Sequence, residues 1–222
     1  MEERQQKLLQ SVIEHYIATA QPVGSVYLAG QDQFDLSPAT IRNELLDLEA
    51  RGLIYQPHTS AGRVPTIKGL RYYLESLMTV EKLDPEYQEA IRDYFDRWGA
   101  RGLAKIAAEL SSAAVVIASD VTNFYYTGFS RLFLQPEFAD VELVRSLTQA
   151  VDRLDVILPK LFGQLERKPL ILLGRHNPFG AFCSALFVSN EQEPETIMGL
   201  LGPIRSDYAR NVALLHEAVN YL

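Results

Sequence analysis

Between Arg4 and Ala20 the apolar residues Leu8, Leu9, Val12, Ile13, Tyr16, Ile17 and Ala20 recur at i, i+3 and i+4, which predicts a helix with one buried stripe. The segment QPVGS breaks that period, and Ser25 is suited to cap a short second helix, VYLAGQ. A third helix is predicted from Pro38, with Ser37 as N-cap and proline at the first helical position. In it Ile41, Leu45 and Leu48 point to one side, while Ala39, Arg42 and Asn43 share the other, near the positive end of the helix dipole. Gly52 ends this helix.

The period then drops to two. In LIYQPHTSAGRVPT apolar and polar residues alternate on either side of a turn, which predicts a small hairpin with Gly62 making the bend. Helical spacing returns in IKGLRYYLESLM through Leu70, Tyr73, Leu74 and Leu77. Three helices, a hairpin and a closing helix predict a winged helix-turn-helix over 1–80.

Linking helices are predicted over 81–112. DPEYQEAIRDYFDRWG starts on Asp84 and Pro85 and aligns Tyr87, Ile91, Tyr94, Phe95 and Trp98, and GLAKIAAELSSA follows it. That stripe serves either a contact between copies or burial within one chain. From 113 to 222 the segments AVVIAS, FYYTGF, PLILLG, AFCSALFV and TIMGLLG are strand candidates by their β-branched and aromatic content. DVELVRSLTQAVDRLDVILPKLFGQL is helical with a break near Pro159, and a last helix carries Tyr208, Val212, Leu215, Val219 and Leu222 in one stripe, capped by Asp207. The fold class is therefore α+β, an antiparallel sheet with flanking helices joined to an N-terminal winged helix.

Charge first argues against a nucleic-acid partner. The chain has a net charge of −7, and residues 1–80 hold seven Lys and Arg against nine Asp and Glu. The distribution changes this picture. From Ser37 to Tyr72 the cations Arg42, Arg51, Arg63, Lys68 and Arg71 outnumber Glu44, Asp47 and Glu49, and no acid lies between Ile54 and Lys68. In a winged helix the third helix enters the major groove and the wing reaches the flanking backbone or minor groove. Arginine can pair bidentately with guanine and asparagine with adenine, so Arg42 and Asn43 suit base edges. Ser37 and Thr40 at the helix start suit phosphate oxygens, with Ala39 between them. On the loop, His58, Thr59, Ser60 and Arg63 are more polar than a turn requires. With Lys68 and Arg71 beyond it, they complete the candidate DNA-contacting set.

The same stretches, YIATAQPVGS, LSPATIRNELLDLEARGLIYQPHTSAGRVPT and KGLRYYLESLM, resemble the N-terminal domain of the heat-inducible transcription repressor HrcA family almost without a gap. GFSRLFLQPEFAD and LGPIRSDYARNVALLHEAVNYL resemble its later motifs, with Ser206 where the family usually has Met. The resemblance implies a winged helix, a GAF-like domain and a dimerising segment inserted into it. Here SSAAVVIASDVTNFYYTGF runs almost directly into the LQPEF motif, so the expectation is a shortened member with a reduced GAF-like domain and no insert. It further implies a repressor that binds an inverted-repeat operator ahead of chaperone genes as a homodimer, relieved by heat and kept active by the chaperonin.

Other chemistries leave few traces. YTGFSR and LLGRHNPFG lack phosphate-loop spacings, and there is no Gly-x-Ser-x-Gly elbow. His15, His58, His176 and His216 fall in no metal-ligand spacing, and His176 and Cys183 resemble a nucleophile pair only superficially. Cys183 reads as a small buried hydrophobe, and Arg131, Arg175 and Arg205 as satisfied surface residues. No enzyme, cofactor or metal is expected. Without an apolar run of about 18 residues or a leader-like N-terminus, the expected location is the cytoplasm. Two other readings stay open: a ligand-sensing winged-helix regulator of other genes, and a winged-helix protein-interaction module.

Overall fold

The structure, a computed structural model, describes residues 1–222 apart from 60, 121–122, 163, 166–168 and 191–195. The chain divides into two compact units, Met1–Thr79 and Val80–Leu222.

In the first unit, α1 (Glu3–Thr19) buries Leu8, Leu9, Val12 and Ile13 of the predicted stripe, while Tyr16, Ile17 and Ala20 are half-buried. A buried leucine or isoleucine side chain contributes about 1.5–3 kcal/mol, so this stripe dominates the packing of α1. The short α2 (Ser25–Ala29) starts at Ser25 itself, with Gly24 rather than Ser25 at the cap position. Helix α3 (Pro38–Ala50) is capped as expected: Ser37 Oγ accepts from Thr40 N at 3.1 Å. It buries Ile41, Leu45 and Leu48. Its end is closed by Gly52, whose φ of 71° favours glycine and lets Leu53 N donate to Leu48 O at 3.1 Å. Strands β1 (Ile54–Tyr55) and β2 (Val64–Pro65) pair antiparallel, Ile54 opposite Pro65. Thr66 then caps α4 (Ile67–Ser76) by accepting from Gly69 N at 3.0 Å.

The second unit opens on α5 (Pro85–Ser111), two helical pieces joined at Gly99, whose φ of 60° and ψ of −149° are non-helical. The junction separates the two predicted linking helices. All five predicted strands form: β3 (Ala114–Ala118), β4 (Phe124–Thr127), β5 (Leu170–Leu173), β6 (Cys183–Ser189) and β7 (Ile197–Pro203), in the antiparallel order β4-β3-β7-β6-β5. One face packs on α6 (Phe129–Leu132), α7 (Val141–Val151) and α8 (Leu154–Phe162) through Val116, Phe187, Leu201, Leu147 and Leu158. Gly199 lies beneath the Phe187 ring, where a Cβ would come within 2.2 Å of it, and Phe187 stacks on Phe179 at 5.8 Å. Helices α5 and α9 (Tyr208–Val219) contact the same sheet, and α9 is capped by Asp207 as expected.

Two details differ from expectation or decide between alternatives. The helical segment breaks between α7 and α8, at Asp152 and Arg153, and continues through Pro159. Pro159 and Asp155 are both exposed, so the carbonyl that loses its i+4 donor lies on the solvent side and a proline there is tolerated. Part of the stripe on α5 is used within the unit: Ile91 is buried, the Phe95 and Tyr221 rings lie 5.4 Å apart, and the Arg210 guanidinium sits 4.8 Å from the Tyr87 ring centre, while Trp98 is 54% exposed.

Candidate nucleic-acid interface

Two carboxylates set the orientation of α3. Glu44, on its inner side, ion-pairs with Arg4 and accepts from Gln5 Nε2 at 3.0 Å, which ties α3 to α1. Glu49, one residue from its end, accepts from Gln56 N at 3.2 Å through Oε1 and from Arg63 Nε at 2.9 Å through Oε2. Gln56 directly follows β1 and Arg63 directly precedes β2, so one side chain of α3 grips both edges of the hairpin at the same level. Hydrogen bonds between charged partners are the stronger kind, about 1.5–3 kcal/mol where they are sheltered.

Arg63 therefore departs from its predicted role as an outward contact. Its side chain is only 11% exposed, and its main chain bridges Val23 through N–H to O at 2.8 Å and O to N–H at 2.9 Å. Gly62 departs as well. Its φ lies outside the left-handed region, and a Cβ there would come within 2.3 Å of Val23 C, so glycine is required by the close approach of two main chains rather than by a bend.

The loop itself is held from inside. Gln56 Nε2 donates to Thr59 O at 2.9 Å and Ala61 O at 2.8 Å, and Ala61 N donates to His58 O at 2.9 Å. His58 and Thr59 are exposed, and Ser60 lies outside the described residues. Sequence reasoning missed both Glu49 and Gln56. The signal for Glu49 was its place at the end of the candidate helix, two turns beyond Arg42; for Gln56 there was only its position beside the loop.

The outer face of α3 is open. Ser37, Ala39, Thr40, Arg42 and Asn43 are all exposed, and the side chains of Arg42 and Asn43 have no hydrogen-bond or ion-pair partner among the described residues. Lys68 is exposed with Nζ donating to Arg51 O at 2.7 Å, and Arg71 is exposed one turn further along α4. Because Glu44 and Glu49 are occupied by cations, Asp47 is the acid that remains on the outer side of α3. The local balance on this side is thus more positive than the net charge of the unit.

In the second unit a groove of about 310 Å³ lies by α8 and β5, floored by Ile157 and Leu172. Arg153, Lys160 and His176 line it, and their side chains have no partner among the described residues. Arg131 pairs with Glu109 at the surface, as expected, whereas Arg205, whose side chain is only 16% exposed, pairs with Glu137 as a largely buried residue; Arg175 is exposed. Ser206 is buried and accepts from Asn211 Nδ2 at 3.3 Å, so its hydroxyl has a local partner. Among the described residues no group of His, Cys, Asp and Glu is arranged to hold a metal ion, and no helix is long and apolar enough to cross a membrane.

A family model described as the HrcA protein C-terminal domain matches residues 70–212. The heat-inducible transcription repressor HrcA of Natranaerobius thermophilus is 32% identical over 225 residues, covering 99% of this chain and 63% of its own length. The protein of the same description from Symbiobacterium thermophilum is 50% identical over 97 residues, covering 44% of this chain and 28% of its own. The chain thus spans less than two-thirds of the length of these relatives. A crystal structure described as that of a hypothetical protein shares the fold, with a TM-score of 0.81 at 18% identity, covering 99% of this chain and 97% of that one. The match of the family model to residues 70–212, well over half of the chain, establishes that this chain belongs to the HrcA family.

Proposed function

We propose that this chain is a DNA-binding transcriptional repressor whose N-terminal unit is a winged helix, with α3 as recognition helix and the β1–β2 hairpin as wing. The observation that carries the reading is the outer face of α3: Arg42 and Asn43 are exposed and uncommitted, while the carboxylate that would repel a phosphate beside the wing, Glu49, is neutralised by Arg63. Ser37, Ala39 and Thr40 at the start of α3, Lys68 and Arg71 on α4, and His58, Thr59 and Ser60 on the loop serve the backbone. Arg63 acts as a positioning residue for the wing. The second unit is a reduced GAF-like domain, in keeping with its antiparallel sheet and the helices α5 and α9 that contact it.

The target is an inverted-repeat operator. Two half-sites require two recognition helices, so the active species is a homodimer. Heat relieves repression, which the description of the relatives as heat-inducible repressors supports; the chaperonin keeps the protein active, and the site of action is the cytoplasm. The test is a titration of the full chain against an inverted-repeat duplex and a scrambled one at several salt concentrations. Preference for the repeat, with affinity falling as salt rises, is expected. Equal affinity for both duplexes would sink the reading.

The groove lined by Arg153, Lys160 and His176 favours a second reading, a ligand-sensing regulator of other genes. A small carboxylate that fills it would raise the melting temperature and shift DNA affinity together.

A further inference from the structure

Leu46 is 47% exposed on a helix whose other leucines, Leu45 and Leu48, are buried. An exposed leucine is common on protein surfaces, so exposure alone says little. Its position says more. Residues at i, i+4, i+7 and i+11 form one row along a helix, and on α3 that row is Ala39, Asn43, Leu46 and Ala50, all exposed. The buried residues Ile41, Glu44, Leu45 and Leu48 occupy the opposite side. Leu46 therefore stands near the middle of the outer face, between Arg42 on one flank and Asp47 on the other.

A side chain at the middle of a helix that lies in the major groove meets base edges rather than phosphates. The one apolar group displayed there is the C5 methyl of thymine, and it is recognised by apolar side chains that exclude water from it. Leu46 is the largest apolar side chain on this face; Ala39 and Ala50, in the same row, reach less far. Asp47 beside it discourages a phosphate from that flank, which keeps the row over the bases.

We propose that Leu46 is a base-reading residue that packs on a thymine C5 methyl, one helical turn beyond Arg42 and Asn43. The preferred half-site then carries a thymine next to the base pairs that those two residues read. The inference rests on the assignment of α3 as the recognition helix.

The experiment uses duplexes enriched from a random library by the full chain, with each thymine replaced in turn by deoxyuracil, which lacks only the methyl group. Wild type should lose about fourfold in affinity at one thymine per half-site, the worth of one buried methyl group. Leu46→Ala should bind the thymine and uracil duplexes equally at that position, keep its response elsewhere, and melt at the wild-type temperature. A variant that still discriminates at that thymine, or a wild type indifferent to every replacement, overturns the proposal. So does a Leu46→Ala variant whose oligomeric state changes while its thymine preference persists, since Leu46 then contacts another copy. Failure to enrich any duplex is a different result, which removes the repressor reading and the proposal with it.

Discussion

Glu49 Oε2 accepts the Arg63 Nε–H at 2.9 Å, joining the last turn of α3 to the foot of the hairpin. The same carboxylate accepts from Gln56 N, so the hairpin and α3 are oriented together. Replacing either partner should loosen the wing without removing a base contact. Glu49→Gln and Arg63→Ala are each expected to weaken binding by similar factors on specific and scrambled duplexes. Because they act through one ion pair, the double variant should lose little more than either alone. With Glu49 about a third exposed, the coupling is on the order of 0.5–1 kcal/mol, measurable by a double-mutant cycle. Full additivity would mean that Arg63 contacts DNA directly.

Gly62 gives a sharper test of the same region. A Cβ on residue 62 would lie 2.3 Å from Val23 C and 2.4 Å from Val23 O, both main-chain atoms with no rotamer to retreat into. Gly62→Ala must therefore part the Val23–Arg63 bridge, whose two hydrogen bonds anchor the hairpin. The expected loss is about 1–3 kcal/mol in stability of the first unit, read by chemical denaturation followed by circular dichroism. Gly24→Ala, where nothing lies within 4 Å of the added carbon, is the matched control and should be close to neutral.

These two contacts mark where the sequence stops being legible. The Ser37–Pro38 start of α3, its Ile41, Leu45 and Leu48 stripe, and all five strands of the second unit rest on signals within a few residues, so periodicity and capping chemistry located them. Which acid meets which cation is a question of three-dimensional proximity. Glu44 and Glu49 lie five positions apart on one helix, yet one turns to Arg4 and the other to Arg63. Glycine in a polar loop suggests a turn, and only the fold reveals that Val23 lies against it. The order β4-β3-β7-β6-β5 pairs β3 with a strand far along the chain, which no local pattern encodes. The alternating period located the hairpin, but the turn of Arg63 inward to Glu49 is not written in the linear pattern.

Arg42 and Asn43 should behave differently from the wing. Both are exposed and uncommitted, so alanine at either position costs no folding energy of consequence. Each substitution is expected to lose about 1–3 kcal/mol on the preferred duplex and little on a scrambled one, relaxing the choice of base at one position per half-site. Lys68→Ala should instead weaken both duplexes and reduce the salt slope by about one. Titrations at several salt concentrations separate the two behaviours. An Arg42→Ala variant that weakens both duplexes equally would return Arg42 to the phosphate-binding class.

The second unit should lose stability in alkali through Cys183. Burial among Phe179, Phe187 and their neighbours pushes its thiol up to about 11, because the thiolate cannot be solvated there. In the unfolded chain a thiol ionises near about 8.5, so above that pH the unfolded state releases a proton that the folded state retains. Stability contributed by this group is complete below about pH 8.5 and falls as pH rises toward 11, by on the order of 3 kcal/mol in total. Tyr208 is raised for the same reason, but an ordinary tyrosine ionises near about 10, so its effect starts later. Cys183→Ala should therefore flatten the stability profile between about pH 8.5 and 10 while leaving the steeper decline above it. The chain's one tryptophan, Trp98, lies in α5 of this unit, so urea denaturation followed by its fluorescence reports the right transition. An unchanged slope in the alanine variant would show that the buried thiol does not set the alkaline limit.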